Sequence, residues 1–117
     1  MGNGLSRGSV VLVVYPFTDL SSAKRRPALV VSAAGRPGRD CILAFITSRM
    51  GLVEPTDLVL DPTRGDFEAT GLRVPSRVRC GRLMTLDRSL LTGRLGRLSK
   101  RTMTQVDTRL KNALGLK

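Results

Sequence analysis

The sequence has no histidine and no tryptophan, and its aromatic residues are one tyrosine and three phenylalanines. The lack of histidine removes the side chain that most often acts as general acid or base and as transition-metal ligand. The two cysteines, Cys41 and Cys80, stand far apart in strand-like segments and fit no zinc-ligand spacing. We therefore expect two buried, reduced cysteines, no metal site and no cofactor.

Acidic residues are also scarce, with nine against twenty lysines and arginines, so that the formal net charge is +11. A field of this sign favours a polyanion, above all nucleic acid, or an acidic protein partner. The first apolar run ends at Pro16 and is too short to span a membrane, and no basic amphipathic helix points to a membrane surface. We expect a cytoplasmic protein that binds no membrane.

The first two thirds of the chain read as short strands, rich in valine and bounded by glycine, proline, serine or aspartate. This pattern predicts one domain over residues 8–117, after a flexible lead-in over 1–7, with a small antiparallel sheet that curls into a barrel. The fold class is α+β and mainly β. The predicted strands are 10–15, 28–32, 41–48, 57–60, 74–80 and 82–86.

The end of the chain is predicted to be helical. Asp87 is placed to cap a short helix through Leu91, and Ser99 opens a longer helix that stops at Gly115. Its apolar stripe should dock on the sheet while its basic residues face water. The stripe comprises Met103, Val106, Leu110, Ala113 and Leu114, and the basic residues are Lys100, Arg101, Arg109 and Lys111.

A basic loop between two valine-rich runs is the first functional candidate. Lys24, Arg25 and Arg26 come directly before Pro27 and the second strand. Arg26 is thus at a loop-to-strand junction, where a rigid sheet can aim a side chain that still reaches solvent. Such a position suits a binding or catalytic cation.

Four segments then occur in a specific order: VVLVVYPFTDL…KRRPALVVS, AFITS at 44–48, PSRVRC at 75–80 and TLD at 85–87. Together they resemble the MazF/PemK family of type II toxin–antitoxin toxins, from about Gly8 to Leu116. The resemblance implies a homodimeric SH3-like barrel of the CcdB/MazF type with a C-terminal helix. It also implies an endoribonuclease (an mRNA interferase) that cleaves single-stranded RNA at short sequences without a metal, and a cognate antitoxin with an acidic tail.

The resemblance assigns Arg26 as the catalytic arginine and Thr47 as the catalytic threonine. Arginine suits the role because its planar donors and permanent charge match the phosphate oxygens of the transition state. From propensity alone, Thr47 is better explained as a β-branched residue that fills a strand. Its pairing with Arg26 in the family's order favours catalysis.

Further contacts with RNA are expected around this pair. Lys24 and Arg25 would steer the RNA backbone, and Phe17 would stack on a base. Asp19 in the first loop, a turn residue by type, Ser48 after the third strand, and Arg79 complete the expected RNA-binding set. Phe45, inside a strand, is expected in the core.

Two departures from the family pattern bear on the mechanism. Arg79 matches an arginine used catalytically in the PemK branch, which has an aspartate proposed as base two positions later, where this chain has Gly81. Ser9 stands where the family commonly has an acidic residue. Gly81 argues against a carboxylate base on that strand and leaves Arg26 and Thr47 as the core pair.

Two other functions remain open from the sequence. A gyrase-targeting toxin of the CcdB type would have a tryptophan near its C-terminus, whereas this chain ends in LGLK. A basic barrel that binds nucleic acid without cleaving it is compatible with the composition. Only the pairing of Arg26 with Thr47 argues against it.

Overall fold

The computed structural model describes residues 6–14, 24–33 and 36–117. Within these described residues, six strands, two 3₁₀ turns and one helix follow one another. They are β1 (Ser9–Val14), β2 (Arg25–Val30), β3 (Asp40–Thr47), β4 (Asp57–Leu60), the turn Glu68–Thr70, β5 (Ser76–Asp87), the turn Arg88–Leu90, β6 (Leu91–Arg97) and α1 (Lys100–Leu114).

The strands form one antiparallel sheet in the order β4-β5-β3-β2-β1-β6. The sheet bends where β3 meets β5, because Ala44 pairs with Leu83 while the next residue, Phe45, pairs with Arg79. In the part of the chain that the structure describes, β4 and β6 are the two edges and do not pair with each other. The predicted mainly β fold with a C-terminal helix is confirmed, and the sheet formed by the described residues is open rather than closed.

The alternation of side chains along the strands creates two apolar cores. Val10 and Ile46 face the first core, on the side of α1, together with Met103 and Val106 of the helix. Val11 and Val13 face the second core with Val30 and other fully buried side chains. Each buried valine or leucine stabilises the fold by about 1.5–3 kcal/mol relative to an exposed one. The valine-rich runs are therefore buried on both faces of the sheet.

Both ends of α1 are where the sequence predicts them. The Ser99 hydroxyl accepts a hydrogen bond from the Thr102 N–H at 3.2 Å, and Gly115 ends the helix with a left-handed φ of 72°. The apolar stripe packs less completely than predicted, because Ala113 and Leu114 are exposed. Arg109 does not simply face water: it is half-buried and donates to the Pro55 carbonyl at 3.0 Å.

Three local predictions were wrong in detail. The two strands predicted over 74–80 and 82–86 form one continuous strand, β5. The short helix after Asp87 is a 3₁₀ turn, with the Asp87 carboxylate accepting from the Ser89 N–H at 2.8 Å. Strand β6 was not predicted, because its glycines and arginines have low β propensity and it pairs only with β1 at an edge.

Arg7, near the start of the chain, is held by contacts with the helix and with the residue that follows β2. Residues 1–5 lie outside the described residues, so the lead-in over 1–7 stays a prediction, although Arg7 is held by Asp107 and by the Val31 carbonyl. Cys41 and Cys80 are buried and unpaired, as expected. Among residues 6–14, 24–33 and 36–117, no helix has the length and apolarity to cross a membrane.

Candidate nucleic-acid interface and active site

The sheet brings Arg26 and Thr47 to the same place. Strands β2 and β3 are antiparallel, and Ala28 pairs with Phe45. Because the register is antiparallel, Arg26 and Thr47 each lie two residues beyond this pair, at the same end of the two strands and on the same face. Both side chains line one cavity of about 590 Å³.

This cavity has a cationic wall and an apolar wall. Lys24, Arg25 and Arg26 enter it from the start of β2, and Thr47, Ser48 and Arg49 enter it from the end of β3. The opposite wall is the segment that follows the first 3₁₀ turn, together with one side chain of β6. Its apolar side chains are Leu72, Val74 and Leu95, and Gly71, Ser76 and the cationic Arg73 lie among them.

A second cavity, of about 500 Å³, continues this surface over the bend of the sheet. It shares Arg26, Ile46 and Thr47 with the first cavity and adds Arg79 and Arg82 from β5. Phe45, Leu83 and Met84 supply its apolar part. The two cavities thus form one concave surface, which we call the cationic groove, with Arg26 and Thr47 at its centre.

The hydroxyl of Thr47 is oriented by the backbone that follows it. Its oxygen accepts a hydrogen bond from the Arg49 N–H at 3.1 Å. A hydroxyl that already accepts one bond keeps its hydrogen for donation elsewhere. Thr47 is half-buried at the end of β3, so this donor can be presented to a group bound in the groove.

The apolar wall approaches β6 so closely that only glycine fits there. Gly71 has a left-handed φ of 77°, and a Cβ on it would lie 2.2 Å from the Leu95 carbonyl oxygen. A Cβ on Gly96 would lie 2.2 Å from the Ala69 carbonyl oxygen. These two glycines allow the first 3₁₀ turn and the segment that follows it to rest on β6 and to close the groove.

The carboxylates beside the groove are already paired with arginines. Glu54 accepts from Arg79 at 2.7 Å, and the Asp57 side chain, only 1% exposed, accepts from Arg77 at 2.5 Å. Position 81 is exposed, and a Cβ on Gly81 would lie 2.9 Å from the Thr56 hydroxyl, a side-chain group that can rotate away. No three cysteine, aspartate or glutamate side chains converge among the described residues.

Cys80 lies next to Arg79 in sequence but takes no part in the groove. Its side chain is fully buried in the helix-side core, and this burial raises the pKa of the thiol to about 11. A thiol with such a pKa stays protonated at neutral pH, where only the thiolate is a good nucleophile. The groove therefore offers arginine, lysine and hydroxyl chemistry.

Comparison with known proteins identifies the fold and the family. The family model described as "PemK-like, MazF-like toxin of type II toxin-antitoxin system" matches residues 6–114. The chain belongs to this toxin family. No curated protein matches the chain significantly.

Solved structures agree with this assignment. A mycobacterial endoribonuclease in complex with its cognate antitoxin is 26% identical, with a TM-score of 0.73 and 96% of each chain covered. MazF from Deinococcus radiodurans is 25% identical, with a TM-score of 0.70 over 95% of this chain and 96% of the other. The Mycobacterium tuberculosis toxin MazF-mt6, at 22% identity and a TM-score of 0.68 over 93% and 98% of the two chains, shares the fold.

Most of the site residues expected from the sequence come together in this toxin. Five of them, Lys24, Arg25, Arg26, Thr47 and Ser48, line the first cavity, and Arg79 lines the second with Arg26 and Thr47. Phe17 and Asp19 lie outside the described residues. Phe45, expected in the core, is half-buried and lines the second cavity.

Sequence reasoning missed several groove residues. Arg49 and Arg73 line the first cavity and Arg82 the second. Arg49 had a usable signal, since it directly follows the Ile-Thr-Ser segment of the resemblance. Arg73 had none, because its place depends on how the segment after the first 3₁₀ turn packs on β6.

Proposed function

We propose that this toxin is a metal-independent, sequence-specific endoribonuclease that cleaves single-stranded RNA in the cytoplasm by attack of the RNA 2′-hydroxyl. The observation that carries the proposal is the placement of Arg26 and Thr47 together at the centre of the cationic groove. The mycobacterial relatives described as endoribonucleases, which are 26% identical, support the same activity.

The RNA supplies its own nucleophile, so the protein has to supply mainly positive charge and the correct orientation of the RNA. The 2′-oxygen of one nucleotide loses its proton and attacks the adjacent phosphorus while the bond from phosphorus to the 5′-oxygen breaks, and the leaving 5′-oxygen takes up a proton. The products are a 2′,3′-cyclic phosphate and a 5′-hydroxyl. Negative charge gathers on the non-bridging oxygens during this step, so preorganised donors lower the barrier.

Arg26 is proposed to bind those oxygens through its guanidinium, and Thr47 to donate its hydroxyl hydrogen to one of them. The Arg49 N–H favours this use of Thr47, because it occupies the acceptor side of the hydroxyl. Each such donor contributes a factor of about 100 to 1,000 in rate. The surrounding cations would repel a divalent metal ion, and arginines already pair with Glu54 and Asp57.

The other residues of the groove are proposed to hold the RNA. Lys24, Arg25, Arg79 and Ser48 would contact phosphates, and Phe17 would stack on a base. Asp19 of the first loop is proposed to contact RNA groups other than phosphate. Partners follow from the same charge: an acidic antitoxin tail would neutralise the groove, in line with the antitoxin complex of the mycobacterial relative. We further propose a homodimer.

The activity is tested with purified protein and a long single-stranded RNA in excess EDTA. The expected result is cleavage at a short recurring sequence, with fragments that carry 2′,3′-cyclic phosphate or 3′-phosphate ends and 5′-hydroxyl ends. Loss of cleavage in EDTA that added metal restores would contradict the metal-free mechanism. Intact RNA with altered DNA supercoiling by gyrase would instead support a gyrase-targeting toxin, and intact but bound RNA a non-catalytic barrel.

A further inference from the structure

We propose that Arg77 is a positioning residue that fixes the catalytic Thr47 through the loop between β3 and β4. This inference rests on the proposed ribonuclease function. Arg77 is not one of the residues that line the groove, and it is only 7% exposed. Its position in the sheet nevertheless ties it directly to the site.

Arg77 of β5 is the cross-strand partner of Thr47 on β3 and of Val59 on β4. Directly paired residues lie on the same face of a sheet, about 5 Å apart. Arg77 therefore lies on the face that carries Thr47, between the strand that ends in the site and the strand that resumes after the loop. The loop 48–56 connects these two strands.

The guanidinium of Arg77 joins the two ends of this loop. Its Nε donates to the Arg49 carbonyl at 2.7 Å, at the start of the loop. Its Nη1 donates to Asp57 Oδ2 at 2.5 Å, at the end of the loop. The same oxygen of Asp57 accepts from the Glu54 N–H at 2.8 Å, which extends the network into the loop itself.

The connection to Thr47 passes through Arg49. The Arg49 carbonyl is held by Arg77, and the Arg49 N–H donates to the Thr47 hydroxyl at 3.1 Å. Because both groups belong to one residue, fixing the carbonyl restricts the backbone that presents the N–H. Arg77 thus controls the direction in which the Thr47 hydroxyl donates, without touching the RNA.

Lysine can replace the charge of Arg77 but not its geometry, because an ammonium is a point charge without a planar fork. Arg77→Lys keeps a cation beside buried Asp57 and so avoids an unpaired buried charge. A misplaced catalytic group costs up to about 100-fold in rate, and we expect roughly a 10-fold loss of kcat here, with KM changed by less than about 2-fold. Arg64→Lys is the control, since Arg64 also donates through Nε to a carbonyl, that of Val59, at 3.0 Å.

The test is a double-mutant cycle with Thr47→Val, measured by single-turnover RNA cleavage. If Arg77 acts through the Thr47 hydroxyl, the loss caused by Arg77→Lys falls from about 10-fold to less than about 2-fold in the Thr47→Val background. An equal loss in both backgrounds, or an unchanged kcat in folded Arg77→Lys, would overturn the inference. The neutral pair Arg77→Met with Asp57→Asn provides a second variant, expected to lose kcat to the same extent, if Arg77→Lys does not fold.

A readout on the protein alone separates this inference from the proposed function. Amide hydrogen exchange at Arg49 should rise several-fold in Arg77→Lys and stay unchanged in Arg64→Lys. If the wild-type toxin cleaves no RNA, the proposed function fails while this measurement still decides the positioning role. Unchanged exchange at Arg49 in folded Arg77→Lys would overturn it.

Discussion

The first 3₁₀ turn contacts β6 at Gly96, and a second glycine of the same strand, Gly93, lies in open space. Substitution of the two glycines by alanine therefore tests how much this contact stabilises the fold. A Cβ on Gly96 would lie 2.2 Å from the Ala69 carbonyl oxygen and 2.6 Å from that of Thr70. These are backbone atoms, which cannot rotate away as the end of a side chain can. A Cβ on Gly93 would meet no atom within 4 Å.

Gly96→Ala should therefore lower the free energy of unfolding by about 3 kcal/mol, the upper end of the range for overpacking. For a domain of this size, such a loss lowers Tm by about 10 °C. Gly93→Ala should stay within about 0.5 kcal/mol of the wild type, since alanine loses less backbone entropy than glycine on folding. Urea denaturation followed by circular dichroism measures both changes.

The same substitution should weaken RNA binding, because Leu95 and the segment from Gly71 to Val74 form the apolar wall of the groove. Affinity is measured at a temperature at which both variants are fully folded. Gly93→Ala is the control and should bind RNA as the wild type does. A Gly96→Ala protein as stable as Gly93→Ala would refute the view that this contact closes the groove.

Three further predictions follow from single features. Cys80 should resist alkylation at pH 8 in the native protein and react once the protein is unfolded, because burial raises the pKa of its thiol to about 11. Hydrogen bonds from the Ser99 and Thr102 hydroxyls hold the pKa of Asp66 below its ordinary value, so ionised Asp66 stabilises the fold above about pH 4 and the gain is lost as the pH falls. Asp66→Asn should thus be less stable than the wild type at pH 7, and equal stability at that pH would contradict this role. Replacing Lys24 and Arg25 with alanine should weaken RNA binding and reduce the slope of log K against log salt by about 1.4, whereas an unchanged slope would exclude phosphate contacts.

The strands and the helix were predictable where burial dictates the sequence. The runs that contain Val10 and Val30 pack into the two cores, and α1 has its cap at Ser99 and its stop at Gly115. Strand β6 escaped prediction because an edge strand needs few apolar residues, and glycine is required there by the approach of another segment. Its position depends on contacts with residues some 25 positions earlier, which local patterns do not contain.

The site was predictable in part for a related reason. Arg26 directly precedes Pro27, and Thr47 is the middle residue of the Ile-Thr-Ser segment. Both short motifs can be recognised in the sequence. Arg77 and Arg79 alternate with Val78, so both point away from the helix-side core, and the sequence alone gives no reason to distinguish them. Arg77 differs from Arg79 because its guanidinium donates to Asp57, which is 20 positions away in the sequence. This contact holds the Arg77 side chain in the buried network.

We propose that Arg26 stabilises the transition state of RNA cleavage. The most direct test of this proposal is the single-turnover rate of Arg26→Ala at saturating RNA, compared with Arg101→Ala, which removes the same charge from the exposed face of α1. We predict a loss of about 100- to 1,000-fold for Arg26→Ala and a wild-type rate for Arg101→Ala, both measured at a temperature at which the variants are folded. A folded Arg26→Ala protein that cleaves RNA at the wild-type rate would contradict the account.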